Sequence, residues 1–195
     1  MFIVLEGIDG CGKTTQAKLL ERWLKEKGYD VILTAEPTKG KIGGFIRDIL
    51  AGNHNTDART LALLFTADRY EHIRNTIKPA LNEGKIVISE RYYHSTITYQ
   101  EAQGVERRWL LEINKFAIKP DITIIIDVEP KLGVERTKTQ EIFEKEEFLE
   151  RVRENYMKFN EDVFKVDGEQ KIEDVFSEIK KIVEEIYSQL QGIKE

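Results

Sequence analysis

Eight consecutive residues near the amino terminus, Gly7-Ile8-Asp9-Gly10-Cys11-Gly12-Lys13-Thr14, carry the densest chemistry in this sequence, and Thr15 follows them. Their spacing is G-x-x-x-x-G-K-[ST], which needs a strand before it and a helix after it to act as a phosphate cradle. The glycines let several backbone N–H groups turn inward, and a helix N-terminus adds positive potential. Lys13 is then placed to bridge the β- and γ-phosphates of a nucleoside triphosphate, and the Thr14 hydroxyl to bind Mg²⁺. Cys11 reads as a small residue filling a loop slot rather than a reactive thiol, because no histidine follows it at a useful spacing. The loop implies triphosphate binding and says nothing about an acceptor.

The elements around the loop supply the required context. Continuous β-branched runs predict strands at Phe2–Leu5, Val31–Thr34, Ile86–Ser89, Ile122–Asp127 and Val163–Val166, as in a parallel sheet covered on both faces. Between them the pattern predicts helices near Lys13–Lys27, Ile42–Leu50, Asp57–Asn82, Glu106–Phe116, Lys131–Thr137 and Glu144–Asn160, with a last one at Ile172–Leu190. Thr56 or Asp57 is the N-cap of the third. In the last helix Val175, Ile179, Ile182, Val183 and Ile186 form one apolar stripe. Such alternation implies right-handed crossovers and an α/β sandwich. No repeat or Pro/Ser/Gly-rich linker divides residues 1–195, so one domain is expected. The polar segment Thr137–Phe143 reads as a mobile loop.

Composition narrows the partners. The 195 residues are 41% hydrophobic and 33% charged, with a formal net charge of -5. That balance argues against a duplex nucleic-acid binder, which needs a basic face, and leaves a small phosphorylated substrate open. A lone cysteine permits no internal disulfide and suits a reducing, cytoplasmic setting. The longest apolar run, Ile122–Ile126, is too short to cross a bilayer.

Beyond the loop, the sequence resembles the thymidylate kinases, nucleoside monophosphate kinases with a P-loop. Nearly the whole chain carries the resemblance, in several ordered motifs. It implies a three-layer P-loop kinase fold, in which a five-stranded parallel sheet is flanked by helices and served by a short lid. It also implies ATP as phosphoryl donor, dTMP as acceptor, Mg²⁺ as cofactor and a homodimer joined through central helices. In the family, the acidic residue at the Asp9 position contacts the acceptor's 3′-hydroxyl. Some members follow it with a catalytic arginine; Gly10 stands there in this chain, which matches the subtype that takes its cations from the lid. Glu36-Pro37 is similar to the family's Glu-Pro turn, and Arg47 to a phosphate-binding arginine. Leu64-Phe65-Thr66-Ala67-Asp68-Arg69 resembles the signature in which a phenylalanine stacks on thymine and an arginine reaches a base carbonyl. Four residues apart, Phe65 and Arg69 project from one helix face.

Glu90-Arg91-Tyr92 follows the third strand, where an open α/β sheet places its ligands. The family has aspartate at the Glu90 position, so a metal or base role there is carried by a side chain one methylene longer. Arg91 matches the clamp on the acceptor phosphate. Ser95, Tyr99 and Gln100 match residues near the sugar and the pyrimidine edge, with helix N-cap as a second reading of Ser95. The lid is expected around Arg136–Phe143, with Arg136 and Lys138 as its cations; a solvated charged face is the other reading of that pair. Tyr156 reads as helical core, and Val166-Asp167-Gly168 resembles the loop beneath adenine. Two other functions stay open on the residues alone. One is a kinase for uridylate or cytidylate, which would share the loop and the arginines. The other is a nucleotide-dependent switch, which would carry Asn-Lys-x-Asp, whereas Asn114-Lys115 is followed by Phe116 and Ala117.

Overall fold

β1 (Phe2–Glu6) is buried at all five positions, which explains a continuous apolar run in place of alternation. It lies between β3 (Ile86–Glu90) and β4 (Ile122–Asp127), with Val4 opposite Ser89 on one side and Thr123 on the other. β2 (Val31–Ala35) pairs with the far edge of β3, and β5 (Val163–Asp167) with β4. Every pairing is parallel, and the strand order is β2-β3-β1-β4-β5. The order reverses beside β1, and a crevice opens beyond the carboxyl ends of strands at such a point. The computed structural model describes residues 1–137 and 146–192.

Helices cover both faces of the sheet. Ile3 and Leu5 join one apolar cluster with Leu20 and Leu24 of α1 (Lys13–Glu26) and with Ile179 and Val183 of α9 (Ile172–Gly192). Phe2 and Val4 face the other way, onto Ile73, Ile77 and Ala80. Each such side chain contributes about 1.5–3 kcal/mol by leaving water, so the central strand and the loop at its end stand on a firm base.

The long helix expected over 57–82 is one rod with a defect. Asp57 caps α3 (Ala58–His72), accepting from the N–H groups of Arg59 and Thr60 at 2.9 and 3.0 Å. A π-helical segment, Ile73–Ile77, follows and leads into α4 (Lys78–Asn82). Pro79 has no N–H to give the carbonyl of Asn75, and the Lys78 N–H reaches back to the carbonyl of Ile73. The pitch loosens there.

The apolar pattern did not predict α5 (Tyr93–Ala102). Its sequence is rich in β-branched and polar residues, and His94, Thr96, Thr98 and Gln100 are all buried. A helix enclosed on most sides shows no amphipathic stripe. Tyr92 is its N-cap position, and Ser95 lies inside it; the N-cap reading of Ser95 is therefore corrected. The remaining helices are α2 (Lys41–Leu50), α6 (Arg107–Ile113), α7 (Pro130–Arg136) and α8 (Glu146–Met157).

Candidate active site

The phosphate loop joins β1 to α1 and leans on α7. Gly10 has φ of +77°, and a Cβ there would run into the backbone of Gly133. A Cβ on Gly133 would in turn meet the Asp9 carbonyl at 2.6 Å. An arginine at position 10 would push the loop off α7, which is a physical reason for glycine in this chain.

Within the loop, Lys13 Nζ donates to the carbonyls of Gly7 (3.1 Å) and Ile8 (2.8 Å). The Thr14 hydroxyl donates to Glu90 Oε1 at 2.8 Å. A hydroxyl and a carboxylate so close offer the hard oxygen donors that suit Mg²⁺. Residues Asp9 to Gln16 line one cleft together with Glu90, Arg136, Gly168, Gln170, Ile172 and Val175. Arg136 donates to the Gly168 carbonyl at 3.2 Å, so the residue expected in the lid and the loop expected beneath a base meet at this cleft. Lys138 and the rest of the expected lid, to Phe143, lie outside the described residues.

A second cleft opens on the other side of Asp9. Asp9, Glu36, Arg47, Phe65, Arg69, Arg91, Ser95, Tyr99 and Gln100 all line it. These are the nine residues that the sequence nominates for the acceptor, drawn from five separate segments. The Glu36–Pro37 peptide is cis. The turn it forms is fixed by Asp68, which accepts from the Thr38 N–H (2.7 Å) and hydroxyl (2.6 Å). Arg47 donates to the carbonyls of Pro37 and Thr38 at 3.0 and 2.5 Å.

Arg69 is fully buried on the cleft floor. One terminal nitrogen, Nη2, donates to Glu36 Oε2 (2.6 Å) and Thr96 Oγ1 (3.0 Å), and Nη1 donates to Asn114 Oδ1 (2.5 Å). Its Nε–H has no hydrogen-bond partner among the described residues, and the same is true of Gln100 Oε1. The Gln100 amide is oriented by Nε2, which donates to Gln103 Oε1 at 3.2 Å. A third residue lining this cleft, Tyr92, also has a buried hydroxyl without a partner among the described residues.

Arg91 stands between the two clefts in the left-handed region, with φ of +68°. For a non-glycine residue this conformation is held only by its surroundings, and it clusters at functional sites. Its guanidinium pairs with Asp9 and donates to Ser95 Oγ at 2.9 Å and Tyr99 Oη at 3.2 Å. Tyr99 donates to the second Asp9 oxygen at 2.8 Å. Burial works against ionised Asp9, but the charges of Arg91 and Lys13 hold its carboxyl below the usual range. Burial also works against the Arg91 charge, and Asp9, Tyr99, Tyr156 and Glu6 together outweigh it and raise the pKa of the guanidinium.

Sequence reading missed the residue beneath this array. Glu6, the last residue of β1, is fully buried and accepts from the Tyr92 N–H (2.8 Å), the Ser95 hydroxyl (2.6 Å) and the Tyr156 hydroxyl (2.9 Å). Tyr156 is core, as its position on α8 implies, yet its hydroxyl belongs to this network. A polar residue ending an otherwise apolar central strand, one position before Gly7, was the available signal.

Residues 5–179 match the model of the family described as Thymidylate kinase. A protein of Thermococcus gammatolerans named "Probable thymidylate kinase" is 44% identical over 200 aligned positions, spanning 95% of this chain and 96% of its own length. One of Pyrococcus horikoshii with the same name is 45% identical, over 93% of this chain and 95% of its own. A third, of Methanocaldococcus jannaschii and also so named, is 41% identical over 98% and 94%. A family match over most of the chain, with relatives 41–45% identical along nearly its whole length, places it in one group: the chain belongs to the thymidylate kinase family.

Proposed function

We infer that this chain moves the γ-phosphoryl group of ATP onto dTMP, giving ADP and dTDP, and that the two clefts divide the work between donor and acceptor. The observation that carries the choice of acceptor is the unpaired pair on the cleft floor. Arg69 Nε–H is a donor suited to the thymine O4 carbonyl, and Gln100 Oε1 is an acceptor suited to the thymine N3–H. Phe65 lines the same cleft and supplies a stacking face.

In the transfer, an oxygen of the dTMP phosphate attacks the γ-phosphorus as the bond to the β-phosphate oxygen of the leaving ADP breaks. The acceptor is already an anion, so positioning and charge neutralisation do most of the work. Arg91, with Arg47, fixes the acceptor phosphate, and Lys13 neutralises the donor phosphates. Asp9 and Tyr99 fit the sugar, with Ser95 behind Arg91. Glu36 holds Arg69. Arg136, with Lys138 in the lid over 136–143, supplies cations during transfer, and closure would exclude water. Thr14 and Glu90 would hold Mg²⁺, which when bound supplies further positive charge at the donor phosphates.

We read residues 1–195 as one kinase domain working in the cytoplasm; among the described residues no helix is long and apolar enough to cross a membrane. We also read it as a homodimer. Leu63 and Tyr70 of α3 are 49% and 56% exposed, and Phe116, 39% exposed, contacts the Tyr70 ring at 5.4 Å between centroids. A second copy of this face would cover them. Tyr70→Glu should then shift the sedimentation coefficient to that of a monomer, and a monomeric parent protein would remove the reading.

One coupled assay tests the central claim. With Mg·ATP and each nucleoside monophosphate in turn, ADP release should rise most with dTMP. Equal ATP consumption with and without any monophosphate would sink it.

A further inference from the structure

Glu6 presents an energetic problem that its surroundings solve in a particular direction. It is fully buried at the root of the phosphate loop, and burial raises its pKa against the opposing pull of Ser95, Arg91, Tyr156 and Tyr92. A carboxyl placed there costs stability whenever it is ionised. Nothing in the strand requires it: Ile3 and Leu5 earlier in β1 are apolar and equally buried.

Its hydrogen bonds all lead to one place. The Glu6 carboxylate accepts from the Ser95 hydroxyl (2.6 Å), so the remaining lone pairs of that oxygen face other donors. Arg91 Nη1 donates to the same Ser95 oxygen at 2.9 Å. The path from Glu6 to the guanidinium is therefore one hydroxyl long. The Tyr92 N–H on Glu6 Oε1 fixes the backbone directly after Arg91, where the strained φ of +68° must be held. From the opposite side the Tyr156 hydroxyl of α8 reaches Glu6 Oε2 at 2.9 Å and Ser95 Oγ at the same distance. Near it, Asn155 donates to the Thr98 carbonyl of α5 at 3.0 Å.

We propose that Glu6 is a positioning residue for the transfer reaction, holding the Arg91 guanidinium through the Ser95 hydroxyl and tying it to α8 through Tyr156. The proposal rests on the reading of Arg91 as the clamp on the acceptor phosphate. Direction makes the arrangement work: Glu6 Oε2 accepts the Ser95 proton and leaves the hydroxyl oxygen to Arg91. A neutral amide at position 6 can fill the same space without imposing that direction. Asp9 alone leaves Arg91 free to follow the Asp9 side chain; Glu6 fixes it from the other end.

The experiment is a mutant cycle on dTMP affinity, measured by calorimetry so that inactive variants still give a value. Glu6→Gln should weaken dTMP binding and lower kcat, each by about tenfold. KM for ATP should stay within about twofold, and Tm should not fall, because the amide fills the same buried space. In an Arg91→Ala background, adding Glu6→Gln should change dTMP affinity much less than in the parent, since the proposed path from Glu6 to the acceptor phosphate runs through that side chain. Full additivity in the cycle, or activity lost in step with Tm, would mean a structural role and overturn the proposal. Wild-type behaviour of Glu6→Gln beside an impaired Arg91→Ala would overturn it too while leaving the clamp standing. Normal dTMP affinity in Arg91→Ala would remove the clamp itself, and with it this proposal. Should Glu6→Gln fail to fold, Tyr156→Phe removes one donor and keeps the ring; its smaller loss must also vanish in the Arg91→Ala background.

Discussion

Glu36 and Arg69 form an ion pair at 2.6 Å with both side chains almost wholly removed from solvent, 2% and 1% exposed. The pair lines the second cleft and is completed by His72, whose Nδ1 lies 3.0 Å from the other Glu36 oxygen. His72 Nε2 in turn lies 2.8 Å from Thr34 Oγ1. Three of the five Arg69 N–H groups are thus committed to protein partners, and Nε–H has none among the described residues.

Breaking that pair from one side should be costly. Glu36→Ala leaves a buried guanidinium without its carboxylate, and such changes cost about 3–5 kcal/mol. Urea unfolding should show the midpoint falling with the m-value unchanged, together with weaker dTMP binding. A midpoint at the wild-type value would show that water replaces the carboxylate.

The lid side is tested through Arg136. Gly10 abuts Gly133 and no arginine stands in the loop, so Arg136→Ala should lower kcat by at least about tenfold, as removal of one transition-state donor does. Affinity for dTMP should hardly change, the pattern of a contact made mainly during transfer. Unchanged turnover would return Arg136 to the role of a surface charge.

At Glu90 two substitutions separate chemistry from structure. Its carboxylate accepts from Thr14 at 2.8 Å. Glu90→Gln should reduce turnover strongly and raise the Mg²⁺ concentration needed for half-maximal rate, while Glu90→Asp should retain much of the rate. Loss of Tm with normal turnover in the folded fraction would assign Glu90 to stability alone.

His94 gives the fold an acid-sensitive component. Burial, then the charges of Arg69 and Arg107, lower its pKa to about 3, whereas the unfolded chain takes up that proton near ~6.5. Below ~6.5 the unfolded state therefore binds the proton first, and stability declines until the folded imidazole titrates, by at most ~1.4 kcal/mol per pH unit. Unfolding midpoints of the parent should fall between pH 6.5 and 4.5 more steeply than those of His94→Phe. Parallel slopes would show that His94 contributes nothing to the acid sensitivity.

Much of the site was legible because its parts are local in sequence. The phosphate loop occupies eight consecutive residues, and Phe65 and Arg69 share a helix face, so spacing alone places them. Glu6, Ser95 and Tyr156 meet only in three dimensions, across β1, α5 and α8, and no spacing rule joins them. The helix α5 was missed for a related reason: its buried threonines, histidine and glutamine face other protein groups, so burial leaves no apolar period to read. Arg69 was assigned to the base from its neighbourhood, yet three of its contacts are to Glu36, Thr96 and Asn114. Those partners lie 27 to 45 residues away.

The proposed choice among bases turns on Arg69 Nε–H and Gln100 Oε1, two of the unpaired atoms of residues lining the cleft. The thymine methyl is one apolar group, worth roughly 0.8 kcal/mol when buried, or about fourfold, so dUMP should be a poorer but real substrate. Cytosine reverses both polar positions: its N3 accepts where thymine donates, and its amino group donates where thymine has O4. Arg69 Nε–H can only donate and cannot adapt. Gln100 could adapt by turning its amide, but Nε2 is held by Gln103 Oε1 at 3.2 Å, which keeps Oε1 toward the base. Each buried polar group left unpaired costs about 1–3 kcal/mol, so two mismatches reach a hundredfold or more. The expected order of kcat/KM is dTMP, then dUMP, then dCMP far behind, with purine monophosphates excluded by size. Gln100→Ala should narrow the thymine–cytosine gap by removing one reading. Gln103→Ala, which touches no base, should narrow it as well, because the Gln100 amide is then free to turn. Turnover of dCMP equal to that of dTMP in the parent protein would refute these roles for Arg69 and Gln100. A Gln103→Ala variant that discriminates as sharply as the parent would refute the claim that Gln103 sets the direction of the amide.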